Sequence, residues 1–511
     1  MRDPHPYLPH GWINIRHGLA LGLGLCQSVL AGPLSPSDIP DLTLKIAGST
    51  IQDNNIDTLL KGSTAGAALC LPGTLSSYRD GDAAGKGTYW RAWFCRVDSA
   101  LVTGLGQSNP KVLILKRNKS GAVTGTYPLL EPTKPIQFMG ISNGNQCTSP
   151  DGGLNYSCTT NQPGDIYNAL PDVGMSDIDP YMLKNTNFIP QFETGGAIYR
   201  EPLASDVTEK LNILNAGAVI QNTPVSLGLR NALQAAQIAE GTLNDTTCVG
   251  KDTLACMPSL DSATLAKIFK GAIATWSDIT VKTPAGSKPL TDYAQTPISS
   301  KLVHLCRRNL GASTQAAINA YFLRSPCEAN SPMPVALSNP NYGPVVLSPG
   351  QVSLEETCLD TIDKGTLNPS FNPKGDKAWA IGLLTTERNT SLSLGYRYIK
   401  IDGAAPTPQE VFNGRYTYFS EAAYLWRKQA PTPTGDTLTF MKYLIVAAAS
   451  PQMHGVLNAK TVQPWGVGSF IGTTGQGYAA ATSFDPVNPV TSWTHQPKGQ
   501  TLENCRTVSQ Q

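Results

Sequence analysis

Arg307-Arg308-Asn309-Leu310-Gly311-Ala312-Ser313-Thr314 puts a forked cation, two hydroxyls and two small residues into one short stretch. Arg308 can offer a bidentate, charge-assisted donor, and Ser313 or Thr314 can add a hydroxyl. The stretch follows an apolar run, Leu302-Val303-His304-Leu305, and precedes Ala317, Ile318, Tyr321 and Phe322 at the spacing of one helix face. Strand, loop and helix are therefore expected in that order. In this geometry the first helical turn presents unpaired N–H groups and the positive end of the helix dipole, which suits an oxyanion. The same residue types also make an ordinary capped helix, so the stretch alone does not decide between the two.

The shape recurs. Leu42–Ala47 reads as a strand, runs into Gly48-Ser49-Thr50, and is followed by a helical pattern from Ile51 to Leu60. Strand material at Tyr89–Phe94 and Val112–Leu115 leads to a second turn at Ser120-Gly121. A third turn, Asp172 to Pro180, carries the carboxylate of Asp177. Ile213-Leu214 and Ala218–Ile220 read as strand, Pro224 ends the run, and Leu227–Ala239 has helical periodicity. Asp261 caps a helix bearing Leu265, Ile268 and Phe269, which closes at Gly271 before Ile273, Trp276 and Asp278. Trp379–Ile381 is a further strand, and Asp436 is expected to cap a helix bearing Leu438, Met441 and Leu444.

At 511 residues the chain has room for roughly three domains or two large lobes. Only 15% of residues are charged and the net charge is +2, with no Lys/Arg run or aromatic-interleaved basic segment, so nucleic acid is excluded as a partner. Arg2 and Arg16 precede an apolar run from Leu19 to Leu30 and small residues at Ala31-Gly32. This layout predicts a signal peptide over 1–31, hence a periplasmic or secreted location. Cys26 would leave with it. The other ten cysteines form an even set, read as five disulfides. Sequence neighbours suggest Cys147–Cys158, Cys248–Cys256 and Cys306–Cys327, with Cys70–Cys95 and Cys358–Cys505 from the remainder. No C-x-x-C occurs, and His304, His454 and His495 lack ligand spacing, so neither metal nor cofactor is expected.

Ile268 to Asp278 has the form I-x-x-G-x-I-x-x-W-x-D. It resembles a segment of the periplasmic phosphate-binding proteins of the phosphate ABC transporter. Those proteins carry, in chain order, a Gly-x-Thr turn, a Ser-Gly turn, a Gly-x-Ser-Asp turn followed by proline, this helix, and an Arg-x-x-Gly-x-x-Thr loop. All five stand here in that order, over about residues 42–470. Val411–Ser420 and Ser450-Pro451-Gln452 resemble the family's returning segment and the end of its last long helix.

The resemblance implies an α/β, two-lobed fold of the type II periplasmic-binding-protein class, with the ligand cleft between lobes and two hinge crossings near 212–220 and 396–412. Lobe one would comprise 32–215 and 410–511, and lobe two 216–409. The ligand would be gripped as the lobes close. Matching positions for inorganic phosphate are Thr50 and Ile51, then Ser120, then Ser176 and Asp177, then Arg308, Gly311, Ala312, Ser313 and Thr314. An ionised Asp177 can only accept a hydrogen bond, so it favours hydrogen phosphate, which keeps a proton, over sulfate, which does not.

A solute-binding monomer working with an ABC permease, and no enzymatic activity, is the expectation. The chain departs from the family in having Ala312 where a serine is usual, and in additions near 61–110, 128–171 and 325–375. These leave open a binding fold reused at a surface, or another oxyanion as ligand. A secreted hydrolase is the other class, although no Ser/His/Asp set declares itself.

Overall fold

The computed structural model describes residues 32–62, 68–81, 89–141, 146–193 and 195–511. The expected signal peptide, with Cys26, lies outside the described residues.

The strand Leu42–Gly48 lies between two parallel neighbours, Lys111–Arg117 and Val173–Ser176. With a sheet neighbour on each edge and cover on both faces, it needs apolar residues throughout its middle, as in Leu44, Ile46 and Ala47. Lys111–Arg117 shows the period of two: Val112 and Ile114 enter one core cluster, Leu113 and Leu115 the opposite one. Because the three strands run parallel, the turns after Gly48, Arg117 and Ser176 emerge at the same edge. That edge is where open parallel sheets bind ligands.

Among the described residues this sheet has twelve strands, continuing through Phe419–Arg427, Leu211–Asn222 and Phe470–Thr473 on one side and Trp90–Arg96 and Ser76–Asp80 on the other. A second sheet of five strands orders Val345–Leu347, Ser300–Cys306, Ala378–Ile381, Val225–Ser226 and Tyr396–Arg397. The chain is thus α/β with two sheet-centred lobes. It passes to the small sheet at Thr223-Pro224, directly after Leu211–Asn222, and returns just before Phe419. Leu211–Asn222 remains wholly in the large sheet, longer than its sequence suggests, because a bulge between Asn215 and Ala218 absorbs Gly217 without ending the pairing.

The I-x-x-G-x-I-x-x-W-x-D segment builds the core of the small-sheet lobe. Asp261 Oδ1 caps helix Ser262–Phe269 by accepting from Thr264 N at 2.7 Å. Trp276 is fully buried, donates from Nε1 to Trp379 O at 3.1 Å, and meets the Trp379 ring edge-on. Its role here is packing.

Asp436 does not cap its helix. The helix spans Gly435–Ala448 with Thr434 at the cap position, and the Asp436 carboxylate instead accepts from Gly106 N at 3.0 Å. Ser450-Pro451-Gln452 opens a new helix, Pro451–Lys460, rather than closing one, with Ser450 Oγ accepting from Met453 N. The addition at 128–171 carries sheet structure: Cys147-Thr148 and Asn155–Cys158 extend the large sheet, and Ile136–Met139 pairs with Ile166–Ala169.

Five disulfides join described cysteines. Cys70–Cys95, Cys147–Cys158 and Cys248–Cys256 pair as expected from spacing. The other two differ, since Cys306 pairs with Cys358 and Cys327 with Cys505. Cys306 ends a buried strand whose face is covered by helix Val352–Lys364, so the fully buried Cys358 is its spatial neighbour while Cys327 lies beyond the next helix. One cluster of metal-ligand spacing occurs among the described residues, Asp245, Cys248 and Cys256, and its cysteines are bonded to each other. No described helix is long and apolar enough to cross a membrane.

His454 is fully buried against Phe470, and burial pushes its imidazole from 6.5 down to about 4. The folded state therefore favours the neutral ring. Its stabilising contribution is complete above the ordinary histidine range and is lost as pH falls through that range toward 4, by about 3 kcal/mol in all. Denaturant titrations between pH 7 and 4 should show this loss, and His454→Phe should flatten it; an unchanged slope in the variant would assign the acid sensitivity elsewhere.

Candidate functional site

Asp177 leaves the edge of the large sheet one residue after Ser176, whose Oγ accepts from Ile178 N at 3.4 Å and tightens the turn. The carboxylate is 5% exposed. Its Oδ1 accepts from Ser49 Oγ, and its Oδ2 accepts from Ser313 Oγ at 2.5 Å. Ser49 stands on the large-sheet lobe and Ser313 on the small-sheet side, so one carboxylate joins both walls. Burial holds the Asp177 carboxyl above its ordinary range, while the two hydroxyl bonds and the charge of Arg308 pull it down.

The first turn reaches Asp177 because Gly48 takes φ +119°, and a Cβ there would stand 2.1 Å from Met175 O. Only glycine lets the backbone pass so close. Ser49 N then donates to Met175 O at 2.9 Å, which aims the Ser49 hydroxyl at Asp177. Beneath the turn, Lys116 is 1% exposed and donates from Nζ to Ser49 O at 3.0 Å, Gly48 O at 3.2 Å and Asn118 Oδ1 at 2.5 Å, with Asp53 Oδ1 at 3.5 Å. A buried cation with this many oxygen partners fixes the carbonyls of the turn and leaves its N–H side outward.

Across from it, Ser300–Cys306 delivers Arg307 and Arg308, both 9% exposed. Arg308 Nη2 donates to Gly350 O at 3.0 Å, and Arg307 Nε to Ser348 Oγ at 3.3 Å. Glu355, fully buried on the adjoining helix Val352–Lys364, attracts Arg308 most strongly, followed by Asp177. Burial raises the Glu355 carboxyl well above its ordinary range, opposed by Arg308 and by a hydrogen bond from Leu383 N. The Cys306–Cys358 bond fixes that helix to the strand carrying Arg308.

Helix Ser313–Leu323 begins at Ala312 without a side-chain cap, so its first-turn N–H groups stay free of intrahelical partners beside Asp177. Three donors of the segment Arg307 to Thr314 are buried and have no hydrogen-bond partner: Arg308 Nε, Arg307 Nη1 and Thr314 Oγ1. Buried donors left in this way cost free energy unless an acceptor meets them.

Of the ten expected site residues, Asp177 and Ser313 are in direct contact and Arg308 is coupled to Asp177 through charge. Gly311, at φ +84°, packs against Val123 and Ile189 of the large-sheet lobe. Ala312 N donates to Asn309 O at 3.3 Å and shapes the loop. Thr50 is exposed, Ile51 N points back to Ser49 Oγ at 3.5 Å, and Ser120 Oγ donates to Phe192 O at 3.2 Å; the side chains of Thr50 and Ser120 are thus directed elsewhere.

Sequence reasoning missed Ser49, Lys116 and Glu355. Ser49 follows Gly48, whose φ of +119° ends the strand's alternation, so period-two patterning gives no signal for it. Glu355 falls in the 325–375 addition, where no motif points to it. Accordingly, Ser49→Ala should weaken oxyanion binding by about 1–2 kcal/mol, the cost of a lost donor to a charged acceptor, while Thr50→Ala should change it by less than about 0.5 kcal/mol. Parallel calorimetric titrations of the two variants check this, and a larger loss in Thr50→Ala would reverse the assignment.

Neither a family model nor a curated protein matches the chain. Among solved structures, a Clostridium perfringens protein described as a phosphate ABC transporter substrate-binding protein, with phosphate bound, is similar at 11% identity and TM-score 0.36, over 82% of this chain and 97% of that one. An ABC-type phosphate transport receptor from Vibrio cholerae is similar at 11% identity and TM-score 0.34, over 78% and 93%. PstS from Borrelia burgdorferi is similar at 10% identity and TM-score 0.31, over 79% and 92%.

Proposed function

We propose that this chain is an exported, non-catalytic solute-binding protein that takes inorganic hydrogen phosphate between its two lobes. The reading rests on one observation above others: three buried donors without partners, Arg308 Nε, Arg307 Nη1 and Thr314 Oγ1, lie on the one loop-and-helix segment whose Ser313 hydroxyl meets the Asp177 carboxylate. Several unpartnered donors on one segment suit an anion with several oxygens. The facing carboxylate requires that the anion also carry a proton. Hydrogen phosphate meets both conditions, and sulfate meets only the first.

Phosphate uptake through an ABC permease is the role that fits the order of the five sequence motifs. Isothermal titration of the folded, oxidised chain tests the ligand. Micromolar or tighter phosphate binding, without turnover and with sulfate a poor competitor, is the expected result. Failure to bind phosphate would overturn the proposal. A binding protein that has left transport is the second reading, favoured by Ala312 in place of a serine hydroxyl and by the Cys327–Cys505 bond.

A further inference from the structure

Helix Ser313–Leu323 belongs to the small-sheet side by connection, yet it is packed on both lobes along its whole length. Ile318, Phe322 and Leu323 enter the core of the small-sheet lobe, whereas Ala316, Ala317 and Ala320 enter a cluster with Val123, Tyr127 and Met182 of the large-sheet lobe. Its small-residue face lets the backbone lie close to its neighbour, and a helix apolar on both faces is an interior helix.

Polar contacts between the same partners are buried too. Asn319 Nδ2 donates to Asn187 Oδ1 at 2.8 Å, the hydroxyls of Thr186 and Ser325 lie 2.9 Å apart, and Ser313 Oγ reaches Asp177 at 2.5 Å. Just past the helix, Cys327 is bonded to Cys505 of the C-terminal tail, 178 residues away. That tail is itself fastened to the large-sheet lobe: Asp179 N donates to Asn504 Oδ1 at 2.6 Å and Asn504 N to Asp179 Oδ2 at 2.8 Å. His495 pairs with Glu421, a fully buried residue of the large sheet.

We infer that the Cys327–Cys505 bond, with the Asn187–Asn319 and Thr186–Ser325 contacts, locks helix Ser313–Leu323 onto the large-sheet lobe, so that this face of the cleft does not open by a swing of the lobes. Parting these surfaces would break a covalent link, uncover the alanine face and strip Asn319 Nδ2 and Asn187 Oδ1 of the bond they share. The cleft carries the catches of a closed clamp, and ligand exchange occurs by local movement, with the exposed Thr50 turn as the solvent-facing edge. The inference concerns the fastening of the helix and stands whatever anion is bound.

The test compares the oxidised wild-type chain with a Cys327→Ala/Cys505→Ala variant by amide hydrogen exchange and small-angle X-ray scattering, each with and without inorganic phosphate. Without phosphate, wild-type amides of Ser313–Leu323 and of residues 182–189 should exchange at least ~10-fold more slowly than those of the variant, since removing the bond releases a local opening. The wild-type radius of gyration should be the same with and without phosphate, while the variant should contract when phosphate is added. Contraction of the wild type on adding phosphate, or equal exchange in the two proteins, would overturn the lock. The exchange comparison needs no ligand, so it remains readable if phosphate does not bind. Should the variant not fold, the wild type decides: slow exchange that phosphate leaves unaltered supports the lock, and fast exchange refutes it.

Discussion

Arg308→Ala is expected to weaken phosphate binding by about 3 kcal/mol, roughly 100-fold, the largest loss of any single substitution in the site. Arg308 supplies a buried cation already held by Gly350 O and flanked by Glu355, so little reorganisation is needed when an anion arrives. Its Nε is one of the unpartnered donors, and alanine removes both that donor and the charge. Arg308→Lys keeps the charge without the fork and should fall between wild type and alanine.

The same substitution should also lower stability, because Glu355 stays buried without its main counter-charge. Burial already raises the Glu355 carboxyl well above the ordinary range, so its favourable contribution is complete below that range and is lost as pH rises. Removing Arg308 raises it further, and the melting-temperature deficit of Arg308→Ala should therefore widen from pH 5 to pH 8. In Arg308→Ala/Glu355→Gln the deficit should shrink while affinity stays low. Phosphate binding by Arg308→Ala equal to wild type would remove this residue from the site.

Asp177→Asn should alter which anion binds more than whether one binds. The carboxylate accepts from Ser49 and Ser313 and keeps further lone pairs for the proton of hydrogen phosphate. Sulfate offers no proton, so wild type should reject it through an unpaired, repelling acceptor. An amide at 177 turns one of those oxygens into a donor. Phosphate should weaken by about 2 kcal/mol and sulfate should strengthen, so that the phosphate-to-sulfate ratio falls by at least ~100-fold. Competition titrations measure the ratio directly. Because burial raises the Asp177 carboxyl, wild-type discrimination should also decline as pH is lowered and the group takes up a proton, a decline that Asp177→Asn should lack. A variant with an unaltered ratio would show that Asp177 does not set specificity.

The elements were legible in the sequence wherever one strong local period dominated. Leu42–Gly48, Lys111–Arg117, Ser262–Phe269 and Ser313–Leu323 announce themselves because strands between packed faces demand apolar residues and helices demand periodic apolar faces. Local patterning could not tell a cap from another use of the same side chain: Asp436 has cap chemistry yet accepts from Gly106, 330 residues away in sequence. The position of Ser49 was missed for a related reason. Its neighbour Thr50 matched a motif, but the positive φ of Gly48 breaks the strand's alternation, and the turn then buries Ser49 against Asp177 and leaves Thr50 exposed.

By itself, the sequence determined residue chemistry and local geometry: an arginine loop before a helix, the Asp177 carboxylate in a turn, an even set of ten cysteines besides Cys26, and an α/β order of elements. Those follow from short-range rules, in which a few neighbouring residues settle backbone shape. Tertiary structure alone decided which of those parts meet. It paired Cys306 with Cys358 and Cys327 with Cys505, set Glu355 behind Arg308, put Lys116 under the first turn, and laid Ser313 on Asp177. The physical reason is that long-range contacts are chosen by the packing of whole sheets and helices, and separation along the chain does not encode that packing.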